Sequence, residues 1–513
     1  MKKFGKISAM LLAVLMMFSA CPLGLFSLTA SAEESTKTSG ITGGCKWEVD
    51  GTVLTISRYD SGLMGDYEGS TPWEKNITEV IIKKGVTNVG WAAFRGCAEL
   101  TKATIPDGVT IIDYGAFDGC EKLTEITIPD SVTSIGSYAF FACTSLASVK
   151  MPDGVTSIGY SVFNGCEKLT EITVPDSVTS ISSDAFENTG YYNDEKNWNQ
   201  NVLYIGNHLI AAKSEISGNY EIEAGTKTIA ENAFNGCTLL TSITIPNGVT
   251  SIGEYVFSGC TLLTNIKIPD SLTNIGWYAF DNTGYYDDEK NWNQNVLYIG
   301  NHLIAAKSEI SGNYEVKAGT KNIVSIAFVG CSNLTSITIP DSVISIGDSV
   351  FYNCTGLTRV TIPNSVASIG SSAFSGCTSL ASVNIPEGIT NIGWFAFSNC
   401  TSLTSIIIPN SVTYINSDAF YGCPNVVIYG SAGSYAETFA KNNGIKFVNG
   451  KPLGDANGDG RVDILDLISL KKRLAETGED APAEENDPAD VDKNNKLNAS
   501  DIAALRKILL GIA

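Results

Sequence analysis

Two stretches near the end of the chain set oxygen-bearing side chains on the same twelve-residue beat. The first runs Asp455, Asn457, Asp459, Asp463 and Asp466; the second runs Asp490, Asp492, Asn494, Asn498 and Asp501. These residues fall at loop positions 1, 3, 5, 9 and 12, and the backbone carbonyls of Arg461 and Lys496 fall at position 7. Such a donor set suits a hard cation that takes six to eight oxygens. Gly460 and Asn495, at position 6, are residue types that tolerate the left-handed turn such a loop requires. An amphipathic helix is expected after each loop, over 467–475 and 502–510.

Elsewhere the reactive side chains do not form a recognisable catalytic set. There is no GxSxG, HExxH, P-loop or dinucleotide-binding glycine run. The two histidines, His208 and His302, are copies of one position and read as polar residues of a variant repeat. Asp107, Asp130, Asp153, Asp176, Asp270 and Asp341 all follow a proline on the same beat, which is turn chemistry. A two-carboxylate glycan hydrolase remains an alternative, because any Asp or Glu pair at suitable separation can serve. The aromatics Trp91, Tyr114, Tyr160, Trp277 and Trp394 recur eight residues beyond the proline beat and are candidates for a ligand face. They are equally suited to shielding the groove of their own repeat. The position two before proline, from Thr104 to Ile407 and mostly threonine, is expected to be exposed strand.

These residues are positioned by a repeat. Eleven cysteines, Cys97 to Cys423, keep intervals of 23 residues within each run, and the prolines from Pro106 to Pro409 keep the same beat. A fixed period of this length means a solenoid with one coil per repeat. In the unit from Leu123 to Cys143, Leu123, Ile126 and Ile128 alternate inward along a strand that Pro129 and Asp130 end. Val132 and Ile135 form a second inward stretch, Gly136 is expected to bend the chain, and Ala139, Phe140 and Cys143 close the coil. The cysteines read as small buried hydrophobes with free thiols. From Asn188 to Tyr220 and Asn282 to Tyr314 the chain matches itself at a shift of 94, which predicts two variant double coils near 187–234 and 281–328.

The segments Leu240 to Cys260 and their equivalents resemble the BspA-like leucine-rich repeats of bacterial surface and secreted proteins, a family associated with adhesion and protein recognition. The paired acidic loops resemble a type I dockerin: the twelfth ligand is Asp rather than Glu, no helix precedes the first loop, and two copies stand in tandem. The resemblance implies two Ca2+ ions and docking onto a cohesin domain of a scaffold protein, as in cellulosomes. It carries the docking contacts to Ile464, Leu465, Lys471 and Lys472 in copy one and to Ala499, Ser500, Arg506 and Lys507 in copy two. An acidic linker, 476–489, separates the copies.

The expected organisation is a secretory signal over 1–32, an N-terminal cap over 33–79, a β-rich leucine-rich-repeat solenoid over 80–423, a C-terminal cap over 424–450 and a small α-helical dockerin with EF-hand-like loops over 451–513. Lys2, Lys3 and Lys6 precede an apolar run, and Ala30-Ser31-Ala32 offers a cleavage site; lipid anchoring at Cys21 is disfavoured by the residues before it. No stretch is long and apolar enough to span a bilayer. Loss of the signal lysines takes the formal charge from −20 to −23, which disfavours nucleic acid as a partner. The expectation is an exported, non-enzymatic recognition protein whose solenoid binds an unknown protein or polysaccharide. The alternatives are a dockerin-borne glycoside hydrolase and a spacer or adhesin.

Overall fold

A computed structural model describes residues 39–67, 70–458, 462–478, 480–484, 487–510 and 512. The candidate signal and Cys21 lie outside them. Each coil contributes two short strands to two parallel ladders, as Glu125–Ile126 and Ser134–Ile135 do in one repeat. Coils pair at the repeat period, with Val149 opposite Ile172 on one face and Ile158 opposite Ile181 on the other. Strands of two or three residues suffice because their backbone groups find partners in the neighbouring coils, while the turns between them are closed by bonds within the coil, such as Ala139 to Gly136 and Cys143 to Phe140.

The inward residues are those the pattern names. Leu123, Val132, Ala139, Phe140 and Cys143 are fully buried, and Ile126, Ile128 and Ile135 nearly so. Phenylalanine stacks from coil to coil within each regular run, broken after Phe186 and Phe280: Phe117, Phe140 and Phe163 lie 5.4 Å apart with parallel planes. Trp73, of the N-terminal segment, stacks on Phe94 at 5.8 Å, and Phe439, on the helix Tyr435–Asn442, meets Phe420 at 6.0 Å. An aromatic ring therefore covers each end of the ladder. The strands Ser39–Thr42, Cys45–Asp50 and Val53–Arg58 form a meander whose last strand pairs with the first coil strand, Glu79–Ile82.

All twelve described cysteines are free and buried. Cys120 donates its thiol to the carbonyl of Phe94 at 3.2 Å, and the contact repeats at Cys143, Cys166 and onward to Cys423. The thiol binds the preceding coil, which is a second reason for cysteine at a site that apolar packing alone could have filled.

Two expectations are corrected. Gly136 does not supply the bend, since the left-handed residue is Tyr138, at φ 61°. Glycine is required at 136 because a Cβ there would stand 2.6 Å from the Tyr114 amide nitrogen, so neighbouring coils touch at that point. The row two before proline is exposed except at Thr244, which is half-buried, and at its last member: Ile407 is 8% exposed, in a wall shared with Gly430, Gly450 and Lys451.

The duplicated segments depart from the coil. After Phe186, Thr189 caps a one-turn helix, Gly190–Asn193, and a 3-10 turn, Glu195–Asn197, leads into the hairpin Val202–Ile205 and His208–Ala212. The return strand pairs in parallel with Thr228–Ile229 and so holds a coil's place in the ladder. The second copy repeats this from Thr283 to Ile323.

Phe140→Ala is expected to cost its coil about 3–5 kcal/mol by removing a ring stacked on both sides. The change should appear as faster amide exchange over 117–163 with the distant coils unaltered, while added reductant leaves the unfolding curve unchanged.

Candidate calcium loops and recognition faces

The helices of the C-terminal module run Ile464–Thr477 and Ala499–Leu509, each beginning three residues earlier than the apolar pattern indicates. The loop residues themselves start them. Asp463 and Asn498 are N-caps, each closing a capping box with the twelfth loop residue, Asp466 or Asp501.

In the second loop one carboxylate oxygen from each of Asp490, Asp492 and Asp501 lies within 4.8 Å of the others. Asp490 and Asp501 are buried. Asp490 accepts from the amides of Asn494 and Asn495 at 3.0 and 2.8 Å; Asp501 accepts from those of Asp492 and Asn498 at 3.2 and 2.9 Å. Asn495 takes φ 63°, the left-handed turn expected at position 6. Asn494 accepts from the Lys496 amide, and the Asn498 carbonyl oxygen is engaged by the Ser500 amide. Burial pushes the Asp501 carboxyl above its ordinary value. Like charges gathered at low dielectric need a cation to remain ionised, so this donor set fits one.

The first loop follows the same plan. Asp455 and Asp466 are fully buried, and Asp466 accepts from the amides of Asn457 and Asp463 at 3.1 and 2.7 Å. Asp463 accepts from the Leu465 amide. Asp459, Gly460 and Arg461 lie outside the described residues.

The acidic linker is tied down by contacts that spacing could not show. Ala481–Pro482 pairs antiparallel with Lys496–Leu497 of the second loop, and Arg473 grips the buried Asp487 through both terminal guanidinium nitrogens, Nη1 at 2.9 Å. Leu467, Leu470, Val491, Leu497 and Leu505 form the small core between the copies.

The two candidate docking faces are unlike. Ile464, Leu465 and Ile468 are exposed, Ile464 by 60% and Ile468 by 58%, beside the exposed Lys471 and Lys472. In copy two the same places hold exposed Ala499, Ser500 and Ala503 with Arg506 and Lys507. The Ser500 hydroxyl turns back onto Asp492 and Asn498. Ile468 was absent from the expected set, although its place one turn after Ile464 is a readable signal.

On the solenoid the five aromatics do not form one surface. Trp91 meets Tyr114 edge-on at 5.7 Å, and Tyr114 leans on Tyr138 at 5.3 Å, a partner outside the expected row. A cavity of about 550 Å3 opens beside Trp91, walled by Tyr67, Lys75, Arg95 and Asp118. Trp277 is half-buried, Trp394 is 58% exposed, and Tyr160 faces acids instead of rings.

Those acids, Glu231 and Glu254, stand on adjacent coils. Glu231 is a clamp across the variant unit, accepting from the Ser182 hydroxyl at 3.2 Å and the Ser183 amide at 3.0 Å. Burial, with the charges of Glu231 and Asp348, pushes Glu254 up to about 7. His208 and His302 are wholly buried, each with Nε2 3.1 Å from a proline carbonyl oxygen, and burial lowers both imidazoles.

Parallel coils of one period, capped at both ends and followed by a two-loop helical module, define a bacterial-type repeat solenoid with an appended docking unit. The BspA type leucine rich repeat region matches residues 73–193, 195–311 and 306–427, and the Dockerin type I domain matches 453–510. The chain belongs to the BspA-type leucine-rich repeat family and carries a type I dockerin. Similar solved structures include a leucine rich cell surface protein from Faecalibacterium prausnitzii, at 29% identity over 79% of this chain and 98% of that one with TM-score 0.29. Another is a leucine-rich repeat protein from Eubacterium ventriosum, at 27% identity over 69% and 92% with TM-score 0.31. A third, from Bacteroides ovatus, has 25% identity over 81% and 98% with TM-score 0.27. The family assignment rests on the repeat match. No curated protein matches the chain. Neither matched family is a catalytic one.

Two outcomes are expected. Glu254→Gln stabilises the solenoid at pH 8 by about 1–3 kcal/mol, because a carboxyl with a raised folded-state value loses stability as pH rises toward and through 7. The gain disappears below about pH 4.5, as denaturant titrations at both pH values would show. Arg473→Ala leaves Asp487 buried without its partner and costs the module about 3–5 kcal/mol, read as a higher calcium midpoint for helix formation.

Proposed function

We propose that the chain is an exported, non-catalytic recognition protein that a calcium-loaded dockerin fastens to a cohesin of a scaffold protein. The observation that carries this reading is the convergence of Asp490, Asp492 and Asp501 in a module matched as a dockerin, with exposed apolar and basic residues on the adjoining helices. The candidate ligands are Asp455, Asn457, Asp459, Asp463 and Asp466 with the Arg461 carbonyl, and Asp490, Asp492, Asn494, Asn498 and Asp501 with the Lys496 carbonyl. Bound calcium supplies the positive charge that lets these carboxylates stay ionised while buried. Asp466 and Asp501 then hold both the loop amides and the start of a helix, so loop order and helix order are one event.

Docking through copy one is favoured over a symmetric mode. Ile464, Leu465 and Ile468 offer apolar anchors beside two lysines, whereas Ser500 is occupied within its own loop. Among the described residues no helix is long and apolar enough to cross a membrane. Export rests on the candidate signal over 1–32.

A second reading, glycan hydrolysis, draws on one observation: Glu254 raised to about 7 beside Glu231. The Ser182 and Ser183 contacts favour the structural role for Glu231. Reducing sugar released from a polysaccharide panel, and lost in Glu254→Gln, would decide for the enzyme.

Calorimetry of the full chain against a cohesin panel is expected to show binding in calcium and none in EDTA. Ile464→Asp should weaken it by at least tenfold and Ser500→Asp far less. Binding that survives EDTA, or that responds equally to both substitutions, would contradict the assignment.

A further inference from the structure

Where the N-terminal cap meets the first coils, the periodic surface is interrupted by a cavity of about 550 Å3. Its wall joins segments far apart in the chain: Tyr67 and Lys75 from the cap, Trp91 and Arg95 from the first coil, and Asp118 from the second. The cap segment is held firmly. The Tyr67 amide bonds the Trp91 carbonyl at 3.0 Å, and the Trp91 amide bonds the Asp66 carboxylate at 3.3 Å. The Tyr67 hydroxyl is tied to Thr42, and its ring meets Trp73 edge-on at 5.1 Å. The Trp73 indole nitrogen donates in turn to the Ala93 carbonyl at 3.1 Å. These contacts fix the cavity before any ligand arrives, so little ordering remains to oppose binding.

The charges in this wall do not cancel. Arg95 and Asp118 hold the same place in adjacent coils and pair at 2.8 Å. Lys102 and Lys122, on the neighbouring coils, are each paired with a glutamate, Glu79 and Glu99. Lys75 has no carboxylate at ion-pair distance among the described residues. Its ammonium nevertheless turns inward. It lies 3.2 Å from where a Cβ on Gly96 would stand, and its charge offsets part of the rise that burial imposes on the Cys97 thiol. Trp91 adds half-buried aromatic surface to the same wall, its ring edge-on to Tyr114 at 5.7 Å. Ser70 and Thr71 contribute hydroxyls. The volume falls within the roughly 300–1,000 Å3 of small-ligand sites, and the wall combines an aromatic face, a cation without a counter-ion and a carboxylate acceptor.

We propose that this cavity binds a hexuronate unit of an acidic polysaccharide, with the sugar ring on Trp91, its carboxylate on Lys75 and its hydroxyls shared between Asp118 and Arg95. A pyranose ring offers an apolar C–H face and a rim of hydroxyls, and the carboxylate adds one negative charge. Each of these has a counterpart in the wall. An acidic peptide carries the charge but brings no ring of hydroxyl donors for Asp118, so it matches Lys75 and leaves the rest unused. The assignment names a ligand class for the recognition reading of the solenoid and rests on that reading.

The test is calorimetry of the full chain in calcium. The probes are a galacturonate trimer, a xylose oligosaccharide bearing one glucuronate, the uncharged counterpart of each, and a glutamate-rich peptide. At least one uronate probe should bind about tenfold more tightly than its uncharged counterpart, and the tighter of the two names the source of the uronate. Lys75→Met should abolish that preference, and Lys75→Arg should keep most of it. Trp91→Ala should weaken charged and uncharged sugars alike by about tenfold, with Trp91→Phe, expected to retain part of the binding, as the second variant should alanine disturb the cap. Trp394→Ala, in the same row on a distant coil, should change nothing. Calcium-dependent cohesin binding on the same samples should be unaltered throughout. No binding of either uronate, equal affinity for charged and uncharged sugars, a preference that persists in folded Lys75→Met protein, or tighter binding of the peptide would each overturn the proposal. A glycan bound without response to Lys75→Met or Trp91→Ala overturns it too, while leaving recognition by another face of the solenoid standing.

Discussion

Backbone pairing between neighbouring coils is the constraint on which the solenoid depends. A single repeat has too few inward side chains to offset the conformational entropy of fixing its backbone, and its strands are too short to pair with themselves. Stacking supplies both deficits, provided every coil presents its donors at the same height. That requirement explains the strict period, the glycine at 136 where coils touch, and the cysteines whose thiols reach back to the coil before. It also explains the caps, because an open end would expose both an aromatic ring and a row of unpaired strand groups.

The same constraint gives meaning to the places where the pattern is broken. The duplicated units insert a helix turn and a hairpin, yet the return strand still pairs in register with the next coil. What is sacrificed is the aromatic ladder, and Glu231 then bridges from its coil to Ser182 and Ser183 across the insertion. Half-buried acids gather there because the positions that carry Trp91, Tyr114 and Trp394 in other coils carry Glu231 and Glu254 here. A raised carboxyl in this setting follows from local desolvation and like charge, without any need for catalysis.

The C-terminal module works by a different economy. It is too small for a large core, so the ordering falls on two loops in which one aspartate serves as candidate ligand, loop brace and helix cap at once. The Arg473–Asp487 pair and the short strand at Ala481–Pro482 keep the linker against the module. With both copies held in this way, the difference between the apolar first face and the polar second face becomes a difference in what each can bind.

Periodic features were legible because they depend on residue type and spacing alone: the coil, its inward side chains, the free thiols, and the twelve-residue loops with left-handed Asn495. Helix starts at Ile464 and Ala499 were misjudged by three residues because capping residues are polar and look like loop. The Tyr114–Tyr138 contact, the acids facing Tyr160, and the grip of Arg473 on Asp487 were decided only by the folded chain. Each depends on which residues a neighbouring coil or a returning linker brings alongside, and a linear repeat records its period without recording what stacking places across it.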